Sequence, residues 1–419
     1  MTLRRAVRIF LGILAVIVAL VLGFMMYVVL AWDSPSDRRL PVMAVSHEPS
    51  AVARGEFLFK YGLGCWECHS SVADPNSPPS GGKPFDLRKI GPGFGMFYTP
   101  NITPDSATGI GGWTDGEIVR AVREGVSKNG RKLFPLMPVA NFHGMSDDDA
   151  LAIVAYLRSI PPVSNAIPEH DLTFVTKAFF TVGILKPAPE IATPIITPPR
   201  GVTPEWGKYV SSNAGLCSDC HSVRNLMDGS FYPDSGFAGS SINFGEAEGD
   251  GIWTYASNLT PDKETGIGAW TENDFLQAVQ YGVRPDGRTL VPHMPYPLFA
   301  FWDSMDVKAV YAYLKTLPAI PRPEAAHTYS QAITTGSGAA RGKDIYGSAC
   351  LRCHGAEGKG TGFTNVKLAE VAGSLNEQEL LTFIRGGNLG LRMPPFEKTF
   401  SEDQLKDVIA FIRTWETKQ

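Results

Sequence analysis

Hydrophobic positions divide the chain into one long apolar segment and many shorter amphipathic ones. Residues 9–32 (IFLGILAVIVALVLGFMMYVVLAW) contain no charged residue, and Arg4, Arg5 and Arg8 precede them. As a helix, this segment extends about 36 Å at about 1.5 Å per residue, which is enough to cross a hydrocarbon layer of about 30 Å. The pattern therefore predicts a single-pass membrane anchor within residues 1–35.

Charges on either side of the apolar segment predict its orientation. Arginines precede it, and Asp33 and Asp37 follow it. Because positively charged flanks stay in the cytoplasm, we expect the main body on the other side of the membrane, in the periplasm or its equivalent. A cleaved signal peptide is the alternative, but LAWDSP offers only a poor cleavage site, which favours an uncleaved anchor.

A second apolar stretch, residues 172–185, is too short to cross a membrane and contains Lys177. A helix of this kind either lies on a membrane surface or is buried between domains. We favour the buried helix.

The rest of the chain repeats itself. Residues 98–126 match residues 255–283 at a constant offset of 157, and the register continues through GRKLFPLMP and GRTLVPHMP. Matched Gly, Pro and Trp positions over this length indicate duplication. Each of three units opens with a Gly and an aromatic residue in a short helical pattern and closes with an amphipathic helix, so we expect the first helix to pack against the last.

These boundaries predict a mainly α fold with three tandem domains after the anchor. The domains are expected at residues 50–163, 199–321 and 336–419. Residues 164–198 form the predicted linker, and the prolines near its end predict an extended, semi-rigid segment. The third unit is the shortest of the three.

Composition and charge exclude one class of binding partner. The 419 residues carry a net charge of −4 and contain no long basic run. Because nucleic-acid phosphates are bound by stripes of Lys and Arg, we exclude a nucleic-acid partner.

All six cysteines lie in three copies of one motif, CWECH, CSDCH and CLRCH. Zinc would need a second pair of ligands nearby, and a redox disulfide does not require the histidine. In C-x-x-C-H, the two thiols attach haem c and the next residue supplies an imidazole to the iron. The sequence therefore predicts three covalently bound haem c groups, anchored by Cys65, Cys68, Cys217, Cys220, Cys350 and Cys353, with His69, His221 and His354 as iron ligands.

A second iron ligand is expected from a Met-Pro pair late in each unit. Methionine is a common partner of histidine in electron-transfer haems, and proline stiffens the loop. The candidates stand at equivalent positions: Met137, Met294 and Met393. His293 precedes Met294, but its counterparts are Leu136 and Arg392, so the repeat favours Met294.

Two arginines are candidate partners of the haem propionates. Arg131 and Arg288 each stand six residues before a methionine of the repeat. Arginine forms bidentate pairs with carboxylates, which makes both reasonable cofactor-binding residues.

Together these residues resemble the class I cytochrome c fold repeated three times. More narrowly, the NITPD, TGIGGWT, GR and MP motifs and the YLRSIPPV ending resemble the membrane-associated cytochrome c subunits of bacterial alcohol, aldehyde, gluconate and fructose dehydrogenases. The likeness covers almost the whole chain after residue 50. It is strong in the first two units, whereas the third resembles generic small cytochromes c.

The resemblance implies a function. In that family the cytochrome subunit accepts electrons from a flavin- or quinoprotein dehydrogenase in the periplasm and passes them to ubiquinone or onward to an oxidase. The same residues named above match the family's haem anchors and iron ligands. The spanning anchor is a departure, because the family usually has a cleaved signal and attaches to the membrane peripherally.

The leading prediction is therefore a membrane-anchored electron carrier with no catalytic residues of its own. The alternative is an electron-donor subunit of a respiratory oxidase or of a quinol-oxidising complex. A haem enzyme would need one open iron, and three Met-Pro sites argue against it.

Overall fold

The structure is a computed structural model. It describes residues 3–72, 74–88, 93–223, 225, 231–232, 236–240, 252–291, 293–322, 328–329, 333 and 335–415. The described part is mainly helical with two small antiparallel sheets, which confirms the predicted fold class.

The first helix, α1 (Leu3–Ala31), contains the apolar segment predicted as an anchor. Its side chains are exposed along almost the whole length, and Val28 is the buried exception. Within the described residues, α1 is the single helix long and apolar enough to cross a membrane.

The first unit contains six short helices. Five lie within the predicted domain, namely α2 (Pro49–Phe57), α3 (Cys65–His69), α4 (Asp115–Glu124), α5 (Val139–Phe142) and α6 (Asp147–Ser159), and α7 (Phe174–Thr181) follows in the predicted linker and packs on this unit. Strands β1 (Pro84–Asp86), β2 (Gly95–Tyr98) and β3 (Asp171–Leu172) form an antiparallel sheet in that order.

The second and third units repeat the plan. The second contains α8 (Pro204–Tyr209), α9 (Cys217–His221), α10 (Glu272–Tyr281), α11 (Tyr296–Phe299) and α12 (Ser304–Leu314), and its strand β4 (Ile252–Trp253) pairs with β5 (Thr328–Tyr329). The third contains α13 (Gly338–Ala349), α14 (Leu351–His354), α15 (Leu368–Ser374), α16 (Glu377–Gly386), a 3-10 turn (Leu389–Leu391) and α17 (Glu402–Arg413).

Local sequence explains where several helices begin. Thr114, Thr271 and Ser401 each cap a helix by accepting a hydrogen bond from the backbone N–H three residues later, and the side chain at that later position bonds back to the cap. These reciprocal bonds satisfy two backbone donors that a helix N-terminus otherwise leaves free.

In each unit the first helix crosses the last at a glycine. An added Cβ would lie 1.8 to 1.9 Å from a carbonyl oxygen of the opposite helix at Gly55, Gly207 and Gly342. No side chain fits in this space, so glycine is required for the backbones to approach so closely. The predicted packing of first helix against last is therefore present in all three units.

An arginine and an aspartate close each crossing. Arg54 binds both carboxylate oxygens of Asp149 at 2.8 Å. The other two units have an ion pair of the same kind with one partner at a different position of the repeat: Arg200 with Asp306 and Arg341 with Asp407.

The apolar interior forms two cores. One runs continuously through the first and second units, from Leu58 and Trp66 to Trp302 and Leu314. The other belongs to the third unit and includes Ile345, Tyr346 and Val408. The first two units therefore pack as one body, against which the third unit docks.

The two segments after α6 lie on the first unit. The proline-rich stretch 186–199 has no helix or strand and hydrogen-bonds to Glu124 and Asp147 of the first unit. Helix α7 packs on α1 and on the first unit. Its buried residues are Thr176 and Phe180, so it is only partly buried, in contrast to the expectation of a buried helix between domains.

A glycine at a helix crossing is expected to tolerate no methyl group. We expect Gly342→Ala to destabilise the third unit by about 1–3 kcal/mol or more, because the new Cβ would meet the Asp407 carbonyl oxygen. Thermal unfolding followed by far-UV circular dichroism measures this. Gly386→Ala is the matched control, since its Cβ would meet nothing within 4 Å; equal unfolding temperatures for the two variants would contradict the packing.

Candidate functional site

Each C-x-x-C-H motif folds as a very short helix. Helices α3 and α9 contain whole motifs, and α14 contains the last four residues of the third. A π-helical turn precedes the motif in the first two units, at Leu58–Gly62 and Val210–Ala214. The residue directly before each of these motifs, Gly64 or Leu216, has left-handed backbone geometry. The shared geometry places the first two motifs equivalently in their units.

Two of the three motif histidines are oriented by a backbone carbonyl. The Nδ1 atom of His69 is 3.0 Å from the Pro100 oxygen, and that of His221 is 2.7 Å from the Ser257 oxygen. A carbonyl oxygen only accepts hydrogen bonds, so Nδ1 carries the proton and Nε2 is left as the free electron-pair donor. This is the tautomer that an iron ligand of this type needs.

The loop that supplies these carbonyls is held by an asparagine. Asn101 is buried, donates from Nδ2 to the Val163 oxygen at 2.8 Å and accepts from Thr103. Asn258 makes the same bonds in the second unit. The asparagines of NITPD and NLTPD thus position the residue that orients the histidine.

The third histidine is held differently. Among the described residues, the buried Nδ1 of His354 has no hydrogen-bond partner. In the third unit Met393 follows the motif histidine by only 39 positions, against 68 and 73 in the others, and the asparagine loop is missing from the sequence. Within the part of the chain that the structure describes, the His354 ring is held by packing.

Burial controls the protonation of the motif residues. Removal from water raises the pKa of the thiols of Cys65, Cys217 and Cys350 to about 12, and it lowers the pKa of all three histidines, to about 4 for His354. The thiols are thus neutral rather than thiolates poised for metal binding. The imidazoles are neutral and able to coordinate iron.

The first two methionines occupy matching turns. The carbonyl of Met137 accepts from Val139 N–H at 2.7 Å, and that of Met294 accepts from Tyr296 N–H at 2.8 Å. Both methionines pack against the core shared by the first two units. Met393 is instead paired with Asn388 through two backbone hydrogen bonds and packs against the third unit's core together with Cys350.

The second unit shows the predicted residues converging on one cavity. A space of about 1950 Å³ is lined by Cys217, Cys220, His221 and Met294. Its apolar wall includes Phe275, Leu298 and Trp302. His293 also lies on the wall, beside Met294. The cavity extends to residues of the first and third units, including Trp66 and Leu351.

The arginine prediction is less well supported by the geometry. Arg288 lies at the edge of the cavity, half-exposed, and forms an ion pair with Asp286 at 2.8 Å. Arg131 is half-buried and lies near His170, whose pKa is lowered first by burial and then by this arginine. Their contact with haem propionates stays a prediction.

Arg284 is a further cavity residue that the sequence did not reveal. Its guanidinium lies 6.0 Å from the centre of the Trp270 ring, and its side chain is only 17% exposed. The first unit has Ser127 at the matching position, so comparing the two repeats does not single out Arg284.

The donor set fits haem c. No disulfide links the six cysteines, two motif histidines present Nε2 as a donor, and the second unit brings both cysteines, the histidine and the methionine to an apolar cavity. This combination is typical of covalent haem with His and Met ligands.

Contacts between units join the site of each unit to that of the next. Asn141, four residues after Met137, donates to the Ser218 hydroxyl inside the second motif at 2.8 Å. Tyr296, two residues after Met294, is buried close to Cys353 and Cys350 of the third motif, and burial together with these thiols raises the pKa of its hydroxyl. The methionine loop of the first unit therefore contacts the cysteine motif of the second, and Tyr296 in the loop of the second unit lies within electrostatic range of the third motif.

The third motif also contacts the first. Arg352 of CLRCH forms an ion pair with Glu67 of CWECH. The Phe301 ring of the second unit stacks on the Tyr61 ring of the first, with the ring centres 4.3 Å apart. The Arg392 guanidinium of the third unit lies 4.3 Å from the centre of the Phe301 ring. The three candidate sites therefore surround a common junction.

Comparison with known proteins identifies the family. The family model for subunit III of cbb3-type cytochrome c oxidase matches residues 337–412, in the third unit. The chain is 30% identical to the gluconate 2-dehydrogenase cytochrome c subunit of Pantoea cypripedii, over 95% of this chain and 90% of the relative.

Two further relatives are similar over most of the chain. The cytochrome c subunit of the quinone alcohol dehydrogenase of Gluconacetobacter polyoxogenes is 29% identical over 90% of this chain and 83% of its own. The fructose dehydrogenase cytochrome subunit of Gluconobacter japonicus is 26% identical over 85% and 76%. With its C-x-x-C-H motifs, its helical units and these relatives, the chain belongs to the family of cytochrome c subunits of bacterial dehydrogenases.

Proposed function

We propose that this chain is a membrane-anchored, periplasmic cytochrome with three haem c groups that carries electrons from a partner dehydrogenase to ubiquinone or a terminal oxidase. Contacts that link each cysteine motif to a neighbouring unit carry the proposal. Residues of each motif touch either another motif or the methionine loop of another unit. Such contacts support cofactor sites that lie side by side, as transfer of electrons within one chain requires.

The residues of the chain have holding and tuning roles. Cys65, Cys68, Cys217, Cys220, Cys350 and Cys353 would anchor the haems, and His69, His221, His354, Met137, Met294 and Met393 would complete the iron coordination. When bound, each haem supplies one-electron chemistry. The protein sets the potential through ligand identity, burial and the hydrogen bonds to the imidazoles.

The relatives support a dehydrogenase as the electron donor. They are cytochrome c subunits named for gluconate, alcohol and fructose dehydrogenases. We expect the partner here to be a flavin- or quinoprotein enzyme in the periplasm. Ubiquinone is the proposed acceptor, since α1 would hold the chain at the membrane in which that quinone dissolves.

A second candidate is an electron-donor subunit of a respiratory oxidase. The match of the third unit to a cbb3-type oxidase subunit favours it, and that unit has its own core and its own mode of holding the histidine. The match covers one unit, whereas the dehydrogenase relatives cover most of the chain. The dehydrogenase assignment is therefore the stronger of the two.

Native purification tests the proposed partner. We expect a flavin- or quinoprotein dehydrogenase to be retained when the cytochrome is purified from its own membranes in mild detergent and followed by haem absorbance, with subunits identified by mass spectrometry. Oxidase subunits in its place would support the second candidate. A cytochrome that reduces ubiquinone analogues only when the retained dehydrogenase receives its substrate would support the acceptor.

A substitution tests the proposed iron ligand. We expect Met137→Ala to leave haem covalently attached, because the cysteines are untouched, but to abolish one methionine-to-iron charge-transfer band and shift one midpoint potential downward. Spectroelectrochemical titration measures both. Met305→Ala is the control, because Met305 is a half-buried methionine outside the repeat positions; if both variants titrate like the parent protein, Met137 is not a ligand.

A further inference from the structure

Helix α7 packs against the end of the apolar helix α1. Within the described residues, Val28 is the buried residue of α1, and it lies where the two helices meet. One turn further on, the Trp32 ring lies 5.4 Å from the Lys177 ammonium of α7. These contacts fix the position of α7 along α1.

That position corresponds to the boundary of a membrane. Val28 precedes the end of the apolar segment by four residues, which is about 6 Å of helix at about 1.5 Å per residue. The segment is about 6 Å longer than a hydrocarbon layer of about 30 Å, so when it is centred on the layer it extends about 3 Å past each edge. Trp32 then lies in the headgroup region and Val28 just inside the hydrocarbon, so an element that packs on this turn lies at the membrane interface.

The chemistry of α7 and its neighbours suits this depth. Phe174 is 39% exposed and Val182, directly after the helix, is 53% exposed. Trp32 and Lys177 belong to the residue types enriched at membrane interfaces, where a ring or an aliphatic stem contacts lipid and the polar end contacts water. The apolar residues of α7 that the protein leaves exposed would thus meet acyl chains.

The opposite face of α7 is fixed to the first unit. Thr173 donates to the Gly93 oxygen at 2.6 Å, and the Thr176 hydroxyl bonds to the Phe94 oxygen. Phe94 packs on Phe134 with ring centres 5.2 Å apart, and Phe134 stands three residues before Met137. The methionine loop of the first unit is therefore linked to α7 through one layer of aromatic rings.

We propose that residues 174–185 form a second membrane contact, lying in the headgroup layer beside the end of α1 and inserting Phe174 and Val182 among the lipids. This surface holds the first unit, with its methionine loop, against the bilayer. The inference rests on the proposed membrane anchor. It commits to lipid as the partner of this face.

Photocrosslinking from lipid tests the contact in the full-length holoprotein. The protein is placed in phosphatidylcholine–phosphatidylglycerol vesicles that contain a phosphatidylcholine with a diazirine on its acyl chain. After irradiation and digestion, mass spectrometry locates the lipid adducts. We expect adducts on α1 and on residues 174–185, and background levels around Val366, an exposed valine of the third unit.

Matched variants test whether the side chains of Phe174 and Val182 are responsible for the labelling. The double variant Phe174→Ser, Val182→Ser should lower the adducts on residues 174–185 about tenfold, the factor in a binding equilibrium that corresponds to about 1.4 kcal/mol. Adducts on α1 should stay unchanged, and Val366→Ser should change neither segment. Both altered positions are exposed, so the fold is expected to be retained.

The possible outcomes separate the two proposals. Lipid adducts on α1 with only background labelling of residues 174–185 would overturn the proposed second membrane contact but would still support α1 as the membrane anchor. Adducts on neither segment would overturn the proposed anchor and the inference together. Equal labelling of residues 174–185 and the Val366 region would also contradict the inference, because it would show no preference for α7.

Discussion

The close crossing of the first and last helices is the constraint on which each unit depends. Three glycines allow backbones to approach to a distance that no side chain would permit, and an arginine–aspartate pair closes each crossing. The crossing brings the two ends of a unit together, so the intervening segments, which carry the cysteine motif and the methionine, must fold back over the same core. In the second unit these segments line the apolar cavity that contains both cysteines, the histidine and the methionine.

The contacts between units determine how such cavities work together. In the first two units a π-helical turn precedes the cysteine motif, and the other of the two units packs on it. Trp302 of the second unit donates to the backbone oxygen of Tyr61 in the first turn at 2.8 Å, and Asn141 of the first unit donates to that of Ser212 in the second turn at 3.1 Å. Insertions of this kind in helices are frequent at functional sites. The third unit adds its own contacts to both neighbours, through Arg352 to the first unit and through Thr399 and Lys398 to the second. We therefore view the protein as a closed cluster of three sites rather than a linear row.

The sequence predicts features that depend on neighbouring or periodic residues, but not contacts between residues that are far apart in the chain. The motifs, the duplication, the mainly helical fold and the glycine-bearing helix pairs could be predicted because each depends on residues that are adjacent or periodic. Glu67 and Arg352 stand 285 positions apart, and nothing in either motif indicates that they pair. The place of α7 was missed for the same reason, since hydrophobicity shows that a face will be covered but not by what.

The central claim is that three haem sites exchange electrons within one chain. Flash photoreduction of the purified holoprotein tests it most directly, by injecting one electron per molecule and following its redistribution among the haem absorbance bands at several protein concentrations. We predict redistribution at a rate independent of concentration. A rate proportional to protein concentration would show that electrons move between molecules, and would contradict the claim that the contacts between units bring the haems together.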